Sequence, residues 1–315
     1  MPAHRRYVLV TPCRNESKFL RVTLDSTLAQ SVRPAKWVIV DDGSTDETPA
    51  ILAEYAQKHP EVIHVVTRTD RGTRSVGPGV IEAFYDGLRH VSLADFDYVC
   101  KFDADLDMPP RYFERAMERM EADPRLGNVS GKMVEPQPDG TLLPIAMGDE
   151  NAIGALKFYR VACFREIGGF VREVAWDGID GHLCRMHGWV PMSVDDPEMR
   201  FVHLRPMGSS HGDILEGRKR WGRGKYFMGS AWYYVLASSV YRMFEPPYVR
   251  GGVNIFRGYL AALRKGDTRY DNPSYQRYVR RFELEQLVVG KGRAARWENA
   301  RVRQRAEPGA VRGSL

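Results

Sequence analysis

The first half of the chain alternates short apolar runs with amphipathic stretches, and that alternation leaves few folds open. Residues 7–11 (YVLVT) read as a strand buried on both faces and ending at Pro12. Residues 37–40 (WVIV), 62–66 and 97–102 (DYVCKF) repeat the pattern, and residues 128–134 supply a fifth strand. A helix from about Asn15 carries Leu20, Leu24 and Leu28 on one stripe. The next is capped by Thr48, with Pro49 in its first turn and Ile51, Leu52 and Tyr55 facing inward. Core spacing recurs at Val80, Ile81, Phe84 and Leu88, and again at Phe113, Met117 and Met120. Four βα units of this kind predict an α/β fold around a mainly parallel, doubly wound sheet.

After Pro136 the alternation stops. A loop over residues 136–151 leads to a helix predicted over residues 157–167, ending at Gly168-Gly169. A further helix starts near Asp177, a strand lies near residues 199–203, and the remainder looks helical. The predicted organisation is an α/β domain over residues 1–205 and a helical, basic extension over residues 206–315, flexible from about residue 300.

The formal charge is +6, and residues 276–315 alone hold ten Lys/Arg against four Asp/Glu. Such a tail suits an anionic surface, but its plainer reading is a solvated terminus. With no recognisable nucleic-acid-binding motif, no nucleic-acid partner is expected. The four cysteines lie far apart in sequence, which points to a reducing compartment and away from a disulfide frame or a zinc site. No signal peptide is expected from residues 1–6, and no run approaches the eighteen or so apolar residues of a membrane span. Residues 227–241 (FMGSAWYYVLASSVY) form the longest apolar stretch, either a buried helix or one lying among lipid headgroups.

Ligands of open parallel sheets bind at the carboxyl ends of the strands. The first strand ends in Thr11-Pro12-Cys13-Arg14-Asn15-Glu16, the second in Asp41-Asp42-Gly43-Ser44-Thr45-Asp46, and the fourth in Asp103-Ala104-Asp105. Residues two apart on an extended segment point the same way, so Asp103 and Asp105 can converge on one point. Two unpaired carboxylates there would repel each other, and a hard divalent cation removes that cost. The plain alternatives are a loop capping the next helix and, for Asp-Gly-Ser, ordinary turn chemistry.

These motifs, in this order, resemble glycosyltransferase family 2 with its GT-A fold, over roughly residues 5–205. Residues 154–160 (GALKFYR), 164–170 (FREIGGF) and 176–189 are similar to it as well. The resemblance implies an inverting transfer of a sugar from a UDP, GDP or dTDP donor to the hydroxyl of a glycan or lipid-linked acceptor, with Mn²⁺ or Mg²⁺ as cofactor. It places Pro12, Arg14 and Glu16 in the nucleotide pocket, Asp42 at the base or ribose, and Arg71 and Gly72 beside the donor. Asp103 falls to ribose or donor sugar, and Asp105 to the metal, with His203 or His211 as a further metal ligand; a lone His is otherwise a surface or structural residue. The family's general base is an Asp after a Glu at a helix start. Here Trp176-Asp177-Gly178-Ile179-Asp180 stands instead. Measured back from Gly188, Asp177 aligns with the base and Asp180 with a supporting role, though the sequence does not decide between them. The plain alternative is a helix N-cap at Asp177 with Asp180 in the first turn. Residues 217–221 (GRKRW) are faintly similar to an element of processive synthases, without its Gln.

The resemblance does not fix the substrate, but the apolar aromatic stretch over residues 227–241 beside basic residues points to a lipid-linked or membrane-proximal acceptor. The setting expected is exopolysaccharide or cell-envelope synthesis, in the cytoplasm or against the inner face of a membrane; the oligomeric state is left open. A non-catalytic nucleotide-sugar or carbohydrate-binding protein and a sugar-phosphate nucleotidyltransferase are the alternatives. The latter needs a Gly-rich loop after the first strand, where this chain has Pro-Cys-Arg-Asn-Glu.

Overall fold

Strand β1 (Tyr7–Cys13) lies inside the sheet of a computed structural model that describes residues 5–69, 72, 77–137, 139–145, 148–205 and 214–305. It pairs in parallel with β2 (Lys36–Asp41) on one side and with β4 (Tyr98–Phe102) on the other, and β3 (Ile63–Thr67) adds to β2. Beyond β4 come β9 (Leu156–Arg160), β6 (Leu126–Gly131) and β10 (Val190–Val194), giving the order β10-β6-β9-β4-β1-β2-β3. Only β9 runs antiparallel. A small second sheet sets β5 (Leu106–Asp107) beside β11 (Phe201–His203), followed by β7 (Met133–Pro136) and β8 (Leu142–Pro144).

Helices cover both faces, as the doubly buried strands require. One face packs α1 (Ser17–Leu28), α2 (Thr48–Lys58) and α4 (Tyr112–Ala122) around Leu9, Trp37, Ile39 and Phe158. The other packs α3 (Pro78–Leu88), α5 (Val161–Glu166) and α6 (Trp176–Met186) around Val8, Val10 and Tyr159.

Several local expectations change. Residues 157–160 form the central antiparallel strand rather than a helix, because Leu156 and Phe158 face one buried layer while Tyr159 faces the other. Only Val161–Glu166 is helical there. The expected fifth strand divides between β6 and β7, which belong to different sheets. Thr48 is the first helical residue of α2 rather than its cap, and its hydroxyl accepts from the Glu16 N–H at 2.8 Å. The four cysteines are free and buried, yet Cys163 and Cys184 meet with their sulfurs 3.7 Å apart.

The C-terminal helices are α7 (Ile214–Phe227), α8 (Trp232–Tyr241), α9 (Val249–Lys265), α10 (Pro273–Val289) and α11 (Lys291–Gln304). They are not a loose tail. Tyr275 and Val279 of α10 join the core around α6, and Val302 of α11 joins the core on the opposite face. Arg303 pairs with Asp123 at 2.8 Å, and Arg301 with Glu285 and Glu298 at 2.9 and 2.8 Å. Arg281 and Lys291 pair with carboxylates as well, yet most described basic residues of this segment stay exposed, and helix continues through residue 304.

Helices α7 and α9 touch backbone to backbone. A Cβ at Gly222 would stand 1.8 Å from the Ile255 carbonyl oxygen, and one at Gly258 2.0 Å from that of Lys219. Gly222→Val must therefore part the two helices. The expected loss is about 1–3 kcal/mol, read as a lower urea midpoint at constant slope. An unchanged midpoint would mean that the contact is not held this closely.

Candidate active site

The parallel strands β1, β2, β3 and β4 bring their carboxyl ends to one edge, and the polar loops that follow lock together there. Asn15 adopts φ +53°, a conformation Asn tolerates better than most residues. Its side-chain oxygen accepts from the Thr45 N–H at 2.8 Å, while its own N–H donates to Ser44 Oγ at 2.9 Å. This holds Pro12, Arg14 and Glu16 beside the loop after β2. Within that loop the two acids part company. Asp41 does turn chemistry, accepting from the Ser44 N–H at 2.9 Å. Asp42 turns its carboxylate to Arg68, 2.6 Å away, and its carbonyl accepts from the Arg14 guanidinium. Arg68 also reaches Asp86 at 2.8 Å.

Asp103 and Asp105 leave the end of β4 as expected. The Asp103 N–H donates to the Ala155 carbonyl at 3.0 Å, and its carboxylate takes the buried Lys101 ammonium, which also donates to the Gly154 carbonyl at 2.9 Å. Asp105 sits deeper. Strand β11 pairs antiparallel with β5, setting His203 opposite Leu106, so His203 Nε2 comes within 3.6 Å of Asp105 Oδ1. Arg205 lies between Glu16 and Asp105, with Nε 3.3 Å from Asp105 Oδ2. Burial pushes the Asp105 carboxyl upward, the Asp103 charge adds to that, and His203 and Arg205 oppose it.

Asp177 and Asp180 stand in opposite surroundings. Asp177 is exposed in the first turn of α6, and its Oδ2 lies so near Gly154 that a Cβ there would stand 3.2 Å away. Through Gly154 and Ala155 it is therefore two backbone contacts from Lys101 and Asp103. Asp180 is 1% exposed, with Lys157 Nζ 2.6 Å from its carboxylate, a hydrogen bond from the Tyr159 hydroxyl and another from the Gly181 N–H at 2.7 Å. Burial raises its pKa, and the Lys157 charge pulls the other way.

Beneath both acids lies an arrangement that the sequence reading missed. Lys101 and Lys157 are buried directly opposite each other across β4 and β9, and both ammonium groups lie over the Trp176 ring, at 5.3 and 5.5 Å from its centroid. Trp176 thus packs onto two cations, each with its own carboxylate. Lys157 also donates to the Asp177 carbonyl at 3.0 Å. The residue before Trp176, Ala175, is held at φ +68°, a strained conformation for a residue with a Cβ. The Asp177 backbone is fixed from below while its carboxylate stays open. A lysine within an otherwise apolar strand, two residues before an Asp, was the available signal for Lys101; Lys157 with Tyr159 has the same spacing.

Arg68 and Arg205 were also missed, because each finds its acid across the fold. Gly72 is described, at φ +74° in the loop after β3. Arg71 and His211 lie outside the described residues. Among the described residues no three acidic, His or Cys side chains cluster as a ready metal site. Asp105 with His203 is a partial one: a carboxylate and an imidazole facing each other, with His203 Nδ1 buried and lacking a hydrogen-bond partner. This mixed oxygen and nitrogen pair fits Mn²⁺ better than Mg²⁺.

Comparisons with known proteins agree with this fold. The model of glycosyl transferase family 2 matches residues 8–147. Poly-beta-1,6-N-acetyl-D-glucosamine synthase of Staphylococcus aureus (strain COL) is 30% identical over 121 residues, which are 38% of this chain and 26% of that protein. The chain thus spans about a quarter of the length of the curated relatives it matches. Among solved structures, the mannosyltransferase PcManGT from Pyrobaculum calidifontis, in complex with GDP-Man and Mn²⁺, superposes with a TM-score of 0.53 at 21% identity, covering 100% of this chain and 78% of that one. S. aureus TarS 1-349 in complex with UDP-GlcNAc gives 0.52 at 15% identity, covering 95% and 92%. The fold is GT-A, and over residues 8–147 the chain is similar to glycosyl transferase family 2.

Proposed function

We propose that this chain is an inverting, metal-dependent glycosyltransferase that moves a sugar from a nucleoside-diphosphate donor to an acceptor hydroxyl. The observation that carries the reading is one edge of one sheet. Asp42, Asp103 and Asp105 stand at strand ends there, and the exposed Asp177 carboxylate lies against the backbone at Gly154. The family match supports it, as do the fold neighbours bound to GDP-Man with Mn²⁺ and to UDP-GlcNAc.

In this reading Pro12, Arg14, Glu16, Asp42 and Gly72 line the nucleotide side, with Arg71 beside them, and Asp103 faces ribose or donor sugar. Asp177 is the base. It accepts the acceptor hydroxyl proton as that oxygen attacks the anomeric carbon, and the bond from that carbon to the diphosphate breaks on the opposite face. Asp180, with its carboxylate buried under Lys157 and Tyr159, is a positioning residue for the start of α6. Asp105 and His203 would hold the metal, with His211 as a further candidate. A bound Mn²⁺ or Mg²⁺ supplies positive charge for the departing diphosphate. The setting we assign is exopolysaccharide or cell-envelope glycan synthesis at the inner face of a membrane, with a glycan or lipid-linked acceptor.

The test is a melting series with UDP, GDP and dTDP, with and without Mn²⁺ or Mg²⁺, followed by product analysis with the sugar donor that binds. A ligand bound only by the folded state raises the melting temperature. We expect a shift with one diphosphate that needs metal and disappears in Asp105→Ala. The shift should weaken as the solution is made acidic. Burial and Asp103 hold the Asp105 carboxyl above its ordinary range, so in acid the metal must displace its proton. A shift equal with and without metal would sink the metal requirement, and no shift with any nucleotide would sink the reading itself.

A further inference from the structure

Helix α8 is built inside out. Its buried residues are Val235 and Ser239, while Trp232, Leu236, Val240 and Tyr241 face solvent. A helix packed against a fold ordinarily does the reverse. The exposed apolar surface continues past the helix: Phe244 is 80% exposed, Tyr241 65%, Tyr248 61% and Trp232 60%. Trp221 of α7 belongs to the same patch, since Arg218 and Arg242 both lie over its ring at 5.3 and 5.0 Å, and Arg218 donates to the Pro246 carbonyl at 3.0 Å. Contiguous apolar exposure of this kind marks a docking surface.

Charge and composition select the partner. From Glu216 to Arg250 the chain holds seven Lys/Arg and two Asp/Glu, and both acids, Glu216 and Glu245, are already paired with Lys219 and Arg242. Exposed Trp, Tyr and Phe rimmed by Arg match the headgroup region of an anionic bilayer, where amphipathic rings and cations are both favoured. Residues 206–213 and 306–315 are poor candidates to cover the patch, since Met207, Val311 and Leu315 are their only large apolar side chains. No helix of the described residues is long and apolar enough to cross a membrane, so contact would be from one side.

We infer that α8, the turn from Arg242 to Val249 and Trp221 form a docking face for an anionic lipid surface, with the aromatic rings at headgroup depth. The face lies close to the proposed base. Gly224, one turn after Trp221 on α7, would meet Ala175 Cβ at 3.2 Å if it carried a Cβ, and Asp177 follows two residues later. Docking therefore brings the acceptor side of the site toward the bilayer, as a lipid-linked acceptor requires. That orientation rests on the reading of Asp177 as the base; the docking face does not.

The experiment is flotation of the full chain with phosphatidylcholine vesicles, with and without phosphatidylglycerol, alongside sedimentation velocity without lipid. Association with the phosphatidylglycerol vesicles alone is expected, weakening as salt rises. The double variant Trp232→Ser/Phe244→Ser should lose about tenfold or more in vesicle affinity with its melting temperature kept. Arg250→Glu should weaken binding through charge alone. No flotation with anionic vesicles, or flotation unchanged in the double variant, overturns the proposal. So does a dimer that the double variant breaks without any vesicle binding, since the face would then join two copies of this chain. None of these readouts uses a nucleotide, so failure here leaves the melting series to judge the transferase reading separately.

Discussion

Asp177→Asn is expected to lower kcat by about 10²–10⁴-fold, the usual contribution of a positioned general base. KM for the donor should hardly move, because the proposed donor site lies at the ends of β1, β2 and β4 rather than on α6. Stability should hardly move either. Asp177 is exposed, and a charge lost from a helix's first turn costs about 0.3–1 kcal/mol. The measurement is steady-state transfer together with a melting curve and the nucleotide-induced shift. A variant that folds, binds nucleotide and still transfers within a few fold of the parent would exclude Asp177 as the base.

Asp180→Ala should have the largest effect on stability and reports on the other acid of α6. Removing that carboxylate strands the fully buried Lys157 ammonium, and breaking a buried pair from one side costs about 3–5 kcal/mol. Lys157 keeps its hydrogen bond to the Asp177 carbonyl, so the low end of that range is the better expectation. The joint change Lys157→Met/Asp180→Leu removes both charges and should recover much of the loss, since apolar replacement of a buried pair is often neutral. Urea unfolding of the three proteins decides it. A single variant as stable as the parent would mean that the pair contributes nothing, and a double variant as weak as the single would point to packing instead of charge.

The two predictions separate residues that sequence reading could only name together. Both acids of Trp-Asp-Gly-Ile-Asp lie within one helical turn, and counting back from Gly188 set Asp177 at the base without deciding Asp180's part. What distinguishes them is β9, which brings Lys157 and Tyr159 up under Asp180 and leaves Asp177 facing Gly154. That strand was read as helix because its apolar residues run on into Val161, Cys163 and Phe164 without a turn signal. Its pairing between β4 and β6 is set by distant partners. The same holds for the split at residue 132, where one apolar run serves two sheets.

Much of the site's acidic side was legible from local sequence. A strand buried on both faces must end in a loop, successive parallel strands bring those loops to one edge, and acids two apart share a face. Asp42, Asp103 and Asp105 follow from these short-range rules. Their cationic partners divide by sequence separation. Lys101 is two residues from Asp103 and had a local signal, whereas Arg68 is 26 residues from Asp42 and Arg205 is 189 from Glu16. The exposed face of α8 belongs with the second group: Trp, Leu, Val and Tyr at those positions read equally well as a buried helix. Periodicity reports that a helix has an apolar side, but which side meets solvent depends on what the rest of the chain places against it, and that only the tertiary structure decides.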